Sequence, residues 1–315
     1  HLLIDSRSLL FPATTLFFAI RTSQNDGHHY IPELYQRGVR NFIISQEIVE
    51  RKYEGSNFLK VNDVVHALQT IAKDHRSHFN YPVIGITGSN GKTIVKEWLY
   101  QLLENKFKII RSPRSYNSQI GVPLSVWEMS SKHDLAIFEA GVSQQGEMNA
   151  LTFMIQPSIG IITSLGTAHQ EGFDSIQQKW KEKWLLCSHS KTVIVNADDL
   201  IANDISIPEK MEDQEIILWG KSQFANFKIV SEQNLQQNTY LKASYQDQLL
   251  SLTIPFTDKV SIQNAITCWV TLLHLNIPVM EIQAKMNQLT HLDMRMQIKK
   301  GNQSCLLLND SYSND

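Results

Sequence analysis

Cysteine is scarce in this chain: Cys187, Cys268 and Cys305 are the only three in 315 residues. Odd in number and widely spaced, they exclude a disulfide framework and a cysteine-rich zinc site, and they point to a reducing compartment. A surplus of either charge is also missing. With 29 Lys and Arg against 31 Asp and Glu the net charge is −2, so bulk electrostatics selects neither nucleic acid nor a membrane surface as partner. No apolar run approaches the roughly 20 residues of a transmembrane helix. The first residues lack the basic-then-apolar pattern of a signal peptide, and the expected location is the cytoplasm. Internal repeats and low-complexity segments are absent too. The chain opens on His1 and stops at Asn314-Asp315 just after a strand-like run, which predicts a fragment of a longer protein. Its length suffices for two or three domains, each with its own core.

What is present is organised around Gly85-Ile86-Thr87-Gly88-Ser89-Asn90-Gly91-Lys92-Thr93. The stretch lies between an apolar run, Pro82 to Ile86, that reads as a buried strand, and Ile94 to Leu103, which reads as an amphipathic helix. Glycines at a strand-to-helix turn let backbone approach phosphate, and the amides and dipole of the helix start bind anions. Lys92 would reach the β- and γ-phosphates of a nucleotide, and the Thr93 hydroxyl would ligate Mg²⁺. A strict P-loop has glycine five residues before Gly91, where this chain has Ile86, so the loop is a variant. Gly-Lys-Thr alone also suits an ordinary helix start; the flanking strand and helix and the Thr87-Gly88-Ser89-Asn90 lead-in favour phosphate.

Before the loop, Leu16 to Ile20 and Asn41 to Ile44 read as strands and Ile31 to Gly38 as a helix. Asp63 to Phe79 reads as a second helix with Val64, Leu68, Ile71, Ala72 and His75 on one face. Together they predict a small α/β domain over residues 1–81. Its polar clusters Asp5-Ser6-Arg7 and Asn25-Asp26-Gly27-His28 are, on composition, turn chemistry. Tyr81-Pro82 reads as a hinge.

From 82 to about 293 the pattern predicts an α/β domain: a mostly parallel sheet with helices on both faces and an antiparallel edge. Strands are expected at Lys108 to Ile110, Leu135 to Phe138, Ile159 to Thr163 and Thr192 to Asn196. Helices are expected at Val122 to Met129 and Ile176 to Ser188. Ile216 to Trp219, Phe227 to Val230, Tyr240 to Ala243 and Leu249 to Ile254 read as short antiparallel strands. Two helices, Ser261 to Leu275 and Val279 to Leu289, close the unit, and a hairpin around Lys300-Gly301-Asn302 opens a truncated third domain over 294–315.

In such sheets ligands bind beyond the carboxyl ends of the strands. Glu139 directly follows a four-residue apolar strand, where a carboxylate could hold a metal or simply be solvated. His169 could be a ligand or an exposed loop histidine. Lys183, in Lys-Glu-Lys-Trp-Leu-Leu, is indistinguishable by position from a solvated lysine.

The Thr-Gly-Ser-Asn-Gly-Lys-Thr loop resembles the ATP loop of the Mur ligases, the amino-acid ligases of peptidoglycan synthesis, and the resemblance runs through the whole chain. Asp5-Ser6-Arg7 and Asp26-Gly27-His28 are similar to the UDP-binding first domain of the member that adds D-alanyl-D-alanine to UDP-N-acetylmuramoyl-tripeptide. Tyr116-Asn117-Ser118-Gln119-Ile120-Gly121-Val122-Pro123 resembles an Asn-x-x-Gly-Val-Pro segment of that family. Glu139, with Gly141, Gly146 and Glu147, resembles its metal-binding strand end, and Ala168-His169-x-Glu171-Gly172-Phe173 matches as well. The resemblance places Lys183 where the family carries an N-carboxylated lysine. It makes Asn264 an adenine contact, Arg295 a residue near the phosphates, and Asp310, in Asn309-Asp310-Ser311-Tyr312, a ribose contact. Two departures stand out: Val260-Ser261 replaces a usual His-Asn, and the family's third domain does not follow.

The resemblance implies transfer of the ATP γ-phosphoryl group to the tripeptide carboxylate, then attack by D-alanyl-D-alanine on the acyl phosphate. Thr93, Glu139, His169 and Lys183 would attend Mg²⁺, and Lys92 the phosphates. The nucleotide would rest on Thr87 to Thr93, Asn264, Arg295 and Asp310, and the substrate on Ser6, Arg7, Asp26, Gly27, His28 and Asn117. A cytoplasmic, monomeric ligase of cell-wall biogenesis is implied, and with it roles in cell shape and division. Several stretches resemble the ligase half of fusions to an alanine racemase. Alternatives are a folylpolyglutamate synthetase-like ligase, in which the loop lies near the chain start, and a nucleotide-binding regulatory module that has lost ligation.

Overall fold

Very short strands begin the chain: β1 (Leu2–Leu3), β2 (Leu16–Phe18), β3 (Asn41–Ile44) and β4 (Asn57–Lys60), with α1 (Ile31–Gln36) between β2 and β3. They pair in parallel in the order β1-β2-β3-β4. Successive side chains leave opposite faces of a strand, so Phe17 and Phe42 pack with Ile31, Leu34 and Val39 while Phe18 and Ile43 pack with Val64 and Leu68. The last two belong to α2 (Val64–Ser77), whose start is capped by Asp63: its carboxylate accepts the N–H groups of Val65 and His66. The computed structural model describes residues 1–166, 172–208, 211–292, 297–300 and 305–309.

Helix α2 also faces the second unit, where Ala72 joins a core with Val122, Val126 and Leu151. Near its end the buried Arg76 guanidinium donates to the carbonyls of Ile155 (2.9 Å), Gln156 (3.0 Å) and Phe79 (2.6 Å). Two of these carbonyls end the next unit's helix, where a cation complements the dipole. The expected hinge at Tyr81-Pro82 is thus braced on one side by Arg76 and on the other by the Pro82 carbonyl, which accepts from Ala136.

The second unit alternates β5 (Val83–Thr87), α3 (Lys92–Leu103), β6 (Ile109–Arg111), α4 (Gly121–Trp127), β7 (Leu135–Glu139), α5 (Glu147–Ile155), β8 (Ile159–Ile162), α6 (Ile176–Trp184), β9 (Thr192–Asn196), α7 (Ala197–Ala202) and β10 (Glu215–Gly220). Then follow β11 (Phe227–Leu235), β12 (Asn238–Tyr245), β13 (Gln248–Ile254), α8 (Lys259–His274) and α9 (Val279–Met286). The sheet order is β13-β12-β11-β10-β9-β8-β5-β7-β6. Helices cover both faces: Val95, Trp98 and Leu99 of α3 share one core with Ile266 and Trp269 of α8. Val126, Leu151, Trp180 and Trp184, from α4, α5 and α6, lie in the other.

The α/β expectation holds, with one correction in the sheet. Residues 216–219, expected to be antiparallel, lie in β10, which runs parallel to β9 and to β11. Helix α7 supplies the crossover that a parallel connection needs. Within this sheet, among the described residues, only β11, β12 and β13 pair antiparallel. A separate antiparallel pair, β14 (Gln297–Lys300) with β15 (Leu306–Asn309), matches the expected hairpin. β5 lies between β7 and β8 although the chain goes next to β6 at the sheet edge. Its carboxyl end is therefore a topological switch point, where such sheets open a crevice for ligands.

Candidate active site

At that switch point the chain leaves Thr87 and turns into α3 through Gly88 (φ +144°) and Gly91 (φ +86°). A Cβ on Gly88 would lie 2.1 Å from Thr163 Oγ1, and one on Gly91 would lie 2.3 Å from Asn264 Oδ1. The segment after β8 braces the turn: the Ser164 carbonyl accepts from the Ser89 N–H (2.9 Å), the Ser164 hydroxyl from the Asn90 N–H (3.2 Å) and the Gly166 carbonyl from the Ser89 hydroxyl (3.1 Å). Gly91 gives α3 no side-chain cap. The positive end of a twelve-residue helix therefore faces the loop, the arrangement that receives phosphate.

Glu139 ends β7 and is completely buried. Its Oε2 accepts from the Thr93 hydroxyl at 3.0 Å, and its Oε1 lies 3.0 Å from Lys96 Nζ, too poorly aligned for a hydrogen bond. The Thr93 hydroxyl is also 3.1 Å from that of Ser115. A buried carboxylate with the Thr93 hydroxyl on one oxygen and that of Ser115 next to Thr93 is a hard oxygen donor set. Among the described residues no three His, Cys, Asp or Glu side chains cluster as a metal cage. One carboxylate and a hydroxyl completed by phosphate is how Mg²⁺ is usually held, so the residues fit that ion.

Lys183 sits under the loop, 1% exposed, and its Nζ donates to the Gly88 carbonyl at 3.1 Å. Lys92 donates to the same oxygen at 2.9 Å and to the Ser89 carbonyl at 3.2 Å. The equally buried Lys179 donates to the Gly166 carbonyl at 2.8 Å. Burial, then the charges of Lys92 and Lys179, push the Lys183 ammonium well below the usual lysine range, opposed only in part by Glu182. Glu182 is committed elsewhere, since its carboxylate accepts the Met148 N–H at 2.7 Å at the start of α5.

A cavity of about 280 Å³ opens beside the loop, lined by Lys92, Asn117, Gly141 and Glu147 among others. Asn117 holds its far wall: its carbonyl accepts from the Gly141 N–H at 2.8 Å, and its side chain fills the space that a Cβ on Gly141 would need. Glu147 accepts from the N–H groups of Ser143 (2.6 Å) and Gln144 (3.1 Å), which shapes the wall rather than leaving a free carboxylate. On the other side of the loop Asn264 of α8 is buried, and its Nδ2 has no partner among the described residues. A second cavity of about 470 Å³ lies along Gln263, Ile266, Asp199 and Lys259.

The first-unit residues gather at the carboxyl edge of the small sheet. Asp26 accepts from the His28 N–H (3.0 Å), from His28 Nδ1 (2.6 Å) and from Gln46 (2.8 Å). Burial alone would raise its carboxyl; these bonds outweigh it and hold the group at about 2. His28 Nε2 accepts the Ser45 N–H at 3.0 Å, so the ring proton is on Nδ1. Gly27 lets two backbones meet, for a Cβ there would lie 2.8 Å from Ala19. Ser6 is buried and its carbonyl accepts from Arg37 (2.8 Å), whereas the Arg7 side chain is 87% exposed and bound to Asp5 (2.7 Å). The structure thus brings Thr87 to Thr93, Glu139, Lys183, Asn264 and Asn117 together, with Ser6, Arg7, Asp26, Gly27 and His28 in the other unit. His169, Arg295 and Asp310 lie outside the described residues.

Sequence reasoning missed Lys96, Ser115, Lys179 and Glu182. Lys96 did leave a signal: it falls three and four residues after Thr93 and Lys92, on the helix face that carries them.

The chain matches the model of the Mur ligase middle domain over residues 86–272 and that of the Mur ligase family catalytic domain over residues 1–76. It is 31% identical over 315 residues to the UDP-N-acetylmuramoyl-tripeptide–D-alanyl-D-alanine ligase of Borreliella burgdorferi, covering 95% of this chain and 65% of that one. It therefore spans a little under two thirds of that relative. Its fold matches MurF from Acinetobacter baumannii (TM-score 0.85, 22% identity, 100% of this chain, 68% of the other). It matches equally MurF ligase from Thermotoga maritima in complex with ADP (TM-score 0.85, 21% identity, 99% and 71%).

Proposed function

We propose, because the chain belongs to the Mur ligase family, that it carries the nucleotide-binding and substrate-activating part of an ATP-dependent ligase joining D-alanyl-D-alanine to UDP-N-acetylmuramoyl-tripeptide. The observation that carries this reading is the buried Lys183 against the Gly88 carbonyl, its ammonium driven toward the neutral amine. A neutral amine can add CO₂ and lose a proton, becoming a carbamate; an ordinary phosphate loop has no use for one.

The chemistry divides among the residues as follows. The loop amides and Lys92 would bind and orient the ATP phosphates, and Asn264, which lies beside Gly91, would meet the nucleotide base. Thr93 and Glu139 would hold Mg²⁺, and carboxylated Lys183 and His169 a second ion; such ions would offset the charge on the phosphoryl oxygens. The substrate carboxylate, seated in the cavity walled by Asn117, attacks the γ-phosphorus; the bond to ADP breaks and an acyl phosphate forms. The amine of D-alanyl-D-alanine then adds to the acyl carbon, inorganic phosphate departs and the ammonium loses its proton. Residues 1–81 would take the UDP moiety, residues 82–293 carry the chemistry, and 294–315 begin a further domain. The setting would be cytoplasmic peptidoglycan precursor synthesis. Among the described residues no helix is long and apolar enough to cross a membrane.

The four-stranded unit ahead of the loop disfavours the folylpolyglutamate synthetase-like alternative, since the family's catalytic-domain model covers residues 1–76. Phosphate release by the full-length protein tests the reading: it should require ATP, UDP-N-acetylmuramoyl-tripeptide and D-alanyl-D-alanine together. Release that ignores the UDP substrate would leave an ATPase or a regulatory module.

A further inference from the structure

Lys96 is as buried as Glu139, both side chains being 0% exposed, and the two charges are 3.0 Å apart. The ammonium also donates to the carbonyls of Ser112 (2.7 Å) and Arg114 and lies 3.0 Å from Glu97. Glu97 has its own counter-charge, Arg111, at 3.0 Å. Among these four side chains two cations and two carboxylates balance, so together they leave no net negative charge at Glu139. A divalent cation arriving alone finds no net negative charge there and meets a fixed ammonium at the carboxylate it needs. A cation arriving on a nucleotide brings its own phosphates.

We infer that Lys96 is a built-in counter-cation for Glu139, which keeps the site from taking a divalent ion until a nucleotide delivers it. The inference rests on the proposed metal role of Glu139 and assigns Lys96 a positioning role, since its other two bonds fix the Ser112–Arg114 segment that leads to Ser115 beside Thr93. It gives the order of events a physical cause: nucleotide and ion enter together, so the carboxylate is not occupied by a metal that would then have to be shed or rearranged.

Mn²⁺ binding followed by electron paramagnetic resonance, with and without ATP, tests this. Lys96→Gln removes the charge but keeps donors for the two carbonyls, and it should bind Mn²⁺ without nucleotide at least about tenfold more tightly than wild type. Lys96→Arg keeps the charge and should stay at the wild-type affinity. Adding Glu139→Gln to Lys96→Gln should abolish the gain. If Lys96→Gln alone does not fold, the same double variant should fold, because the stranded carboxylate is gone. Equal nucleotide-free Mn²⁺ affinity in folded Lys96→Gln and wild type, with normal ATP-dependent uptake in both, would overturn the counter-cation and leave the metal role of Glu139 standing. A gain that survives Glu139→Gln, or wild-type protein that takes up no Mn²⁺ even with ATP, would overturn the metal role and the inference with it. Failure of both the single and the double variant to fold would also overturn it, by showing that Lys96 serves packing alone.

Discussion

Lys92 and Lys183 donate to one acceptor, the carbonyl oxygen of Gly88, at 2.9 and 3.1 Å. One lysine comes from the start of the loop helix and the other from a helix 91 residues later in the chain, and they converge on the residue whose φ of +144° only glycine takes readily. Sharing an oxygen brings two ammonium groups close, and closeness of like charge is among the causes that drive Lys183 toward neutrality. Lys92, proposed to meet the phosphates, is thereby also part of the electrostatic setting of Lys183. Filling the loop with phosphate would draw Lys92 off Gly88 and relieve that repulsion.

Lys92→Ala should weaken ATP binding by more than about tenfold, because the lost charge faces phosphate in a partly dehydrated site. Titration calorimetry at fixed ionic strength measures it. Equal affinities would show that the loop does not hold the phosphates.

The stability of the protein depends on pH through the burial of Lys183. Its folded pKa lies below its ordinary value of 10.5, so over that interval the unfolded chain binds a proton that the folded chain does not. Stability then rises with pH from the folded pKa up to the ordinary one, and the cost of burying the lysine is felt at lower pH. In CO₂-free buffer, urea midpoints should climb between neutral pH and pH ~9 in wild type and climb less in Lys183→Met. With ¹³C-bicarbonate present, wild type alone should give a carbamate carbon signal. Parallel pH curves and no such signal would make Lys183 a plain core residue.

The loop was legible because its demands are local: glycine at positive φ, an apolar strand before and an amphipathic helix after. Glu139 was legible as a strand end, but not as a group with zero exposure, since burial depends on Lys96 and Thr93 reaching it from α3. By position Lys183 is indistinguishable from a solvated lysine, yet it, Lys179 and Glu182 are all under 5% exposed, because the loop, Gly166 and the start of α5 supply their partners from distant parts of the chain. The parallel direction of β10 was hidden behind α7, six residues too short to announce a crossover. Turn chemistry at Asp26-Gly27-His28 was read correctly as far as it went; the bonds to Ser45 and Gln46 are tertiary and leave no local trace.

Asp26→Asn should destabilise the protein by roughly 1–2 kcal/mol at pH 7, since bonds to a charged acceptor are among the stronger ones. The carboxyl is held at about 2, below its ordinary 3.8. Its contribution is therefore complete above the ordinary value and fades as the pH falls toward 2. Thermal melts should show a gap between wild type and variant that narrows between pH ~4 and ~2. A gap of constant size would mean that the carboxylate charge plays no part.

Asn264 gives the sharpest separation of stability from function. Its Nδ2 is buried beside Gly91 with no partner among the described residues, and an unmet buried donor costs about 1–3 kcal/mol. None of the described residues accepts from it, whereas a bound adenine could. Asn264→Ala should therefore leave the melting temperature unchanged or raise it by a few degrees, while weakening ADP and ATP binding about tenfold. Gly91→Ala acts through the same contact in the opposite sense: its Cβ would meet Asn264 Oδ1 at 2.3 Å at a φ of +86°, so it should lower the melting temperature. Combining the two changes should recover part of that loss, because one source of the strain, the clash, disappears while the backbone strain remains. If Asn264→Ala instead destabilised the free protein and left nucleotide affinity intact, the asparagine would be a packing residue and the base would have to find its donor elsewhere.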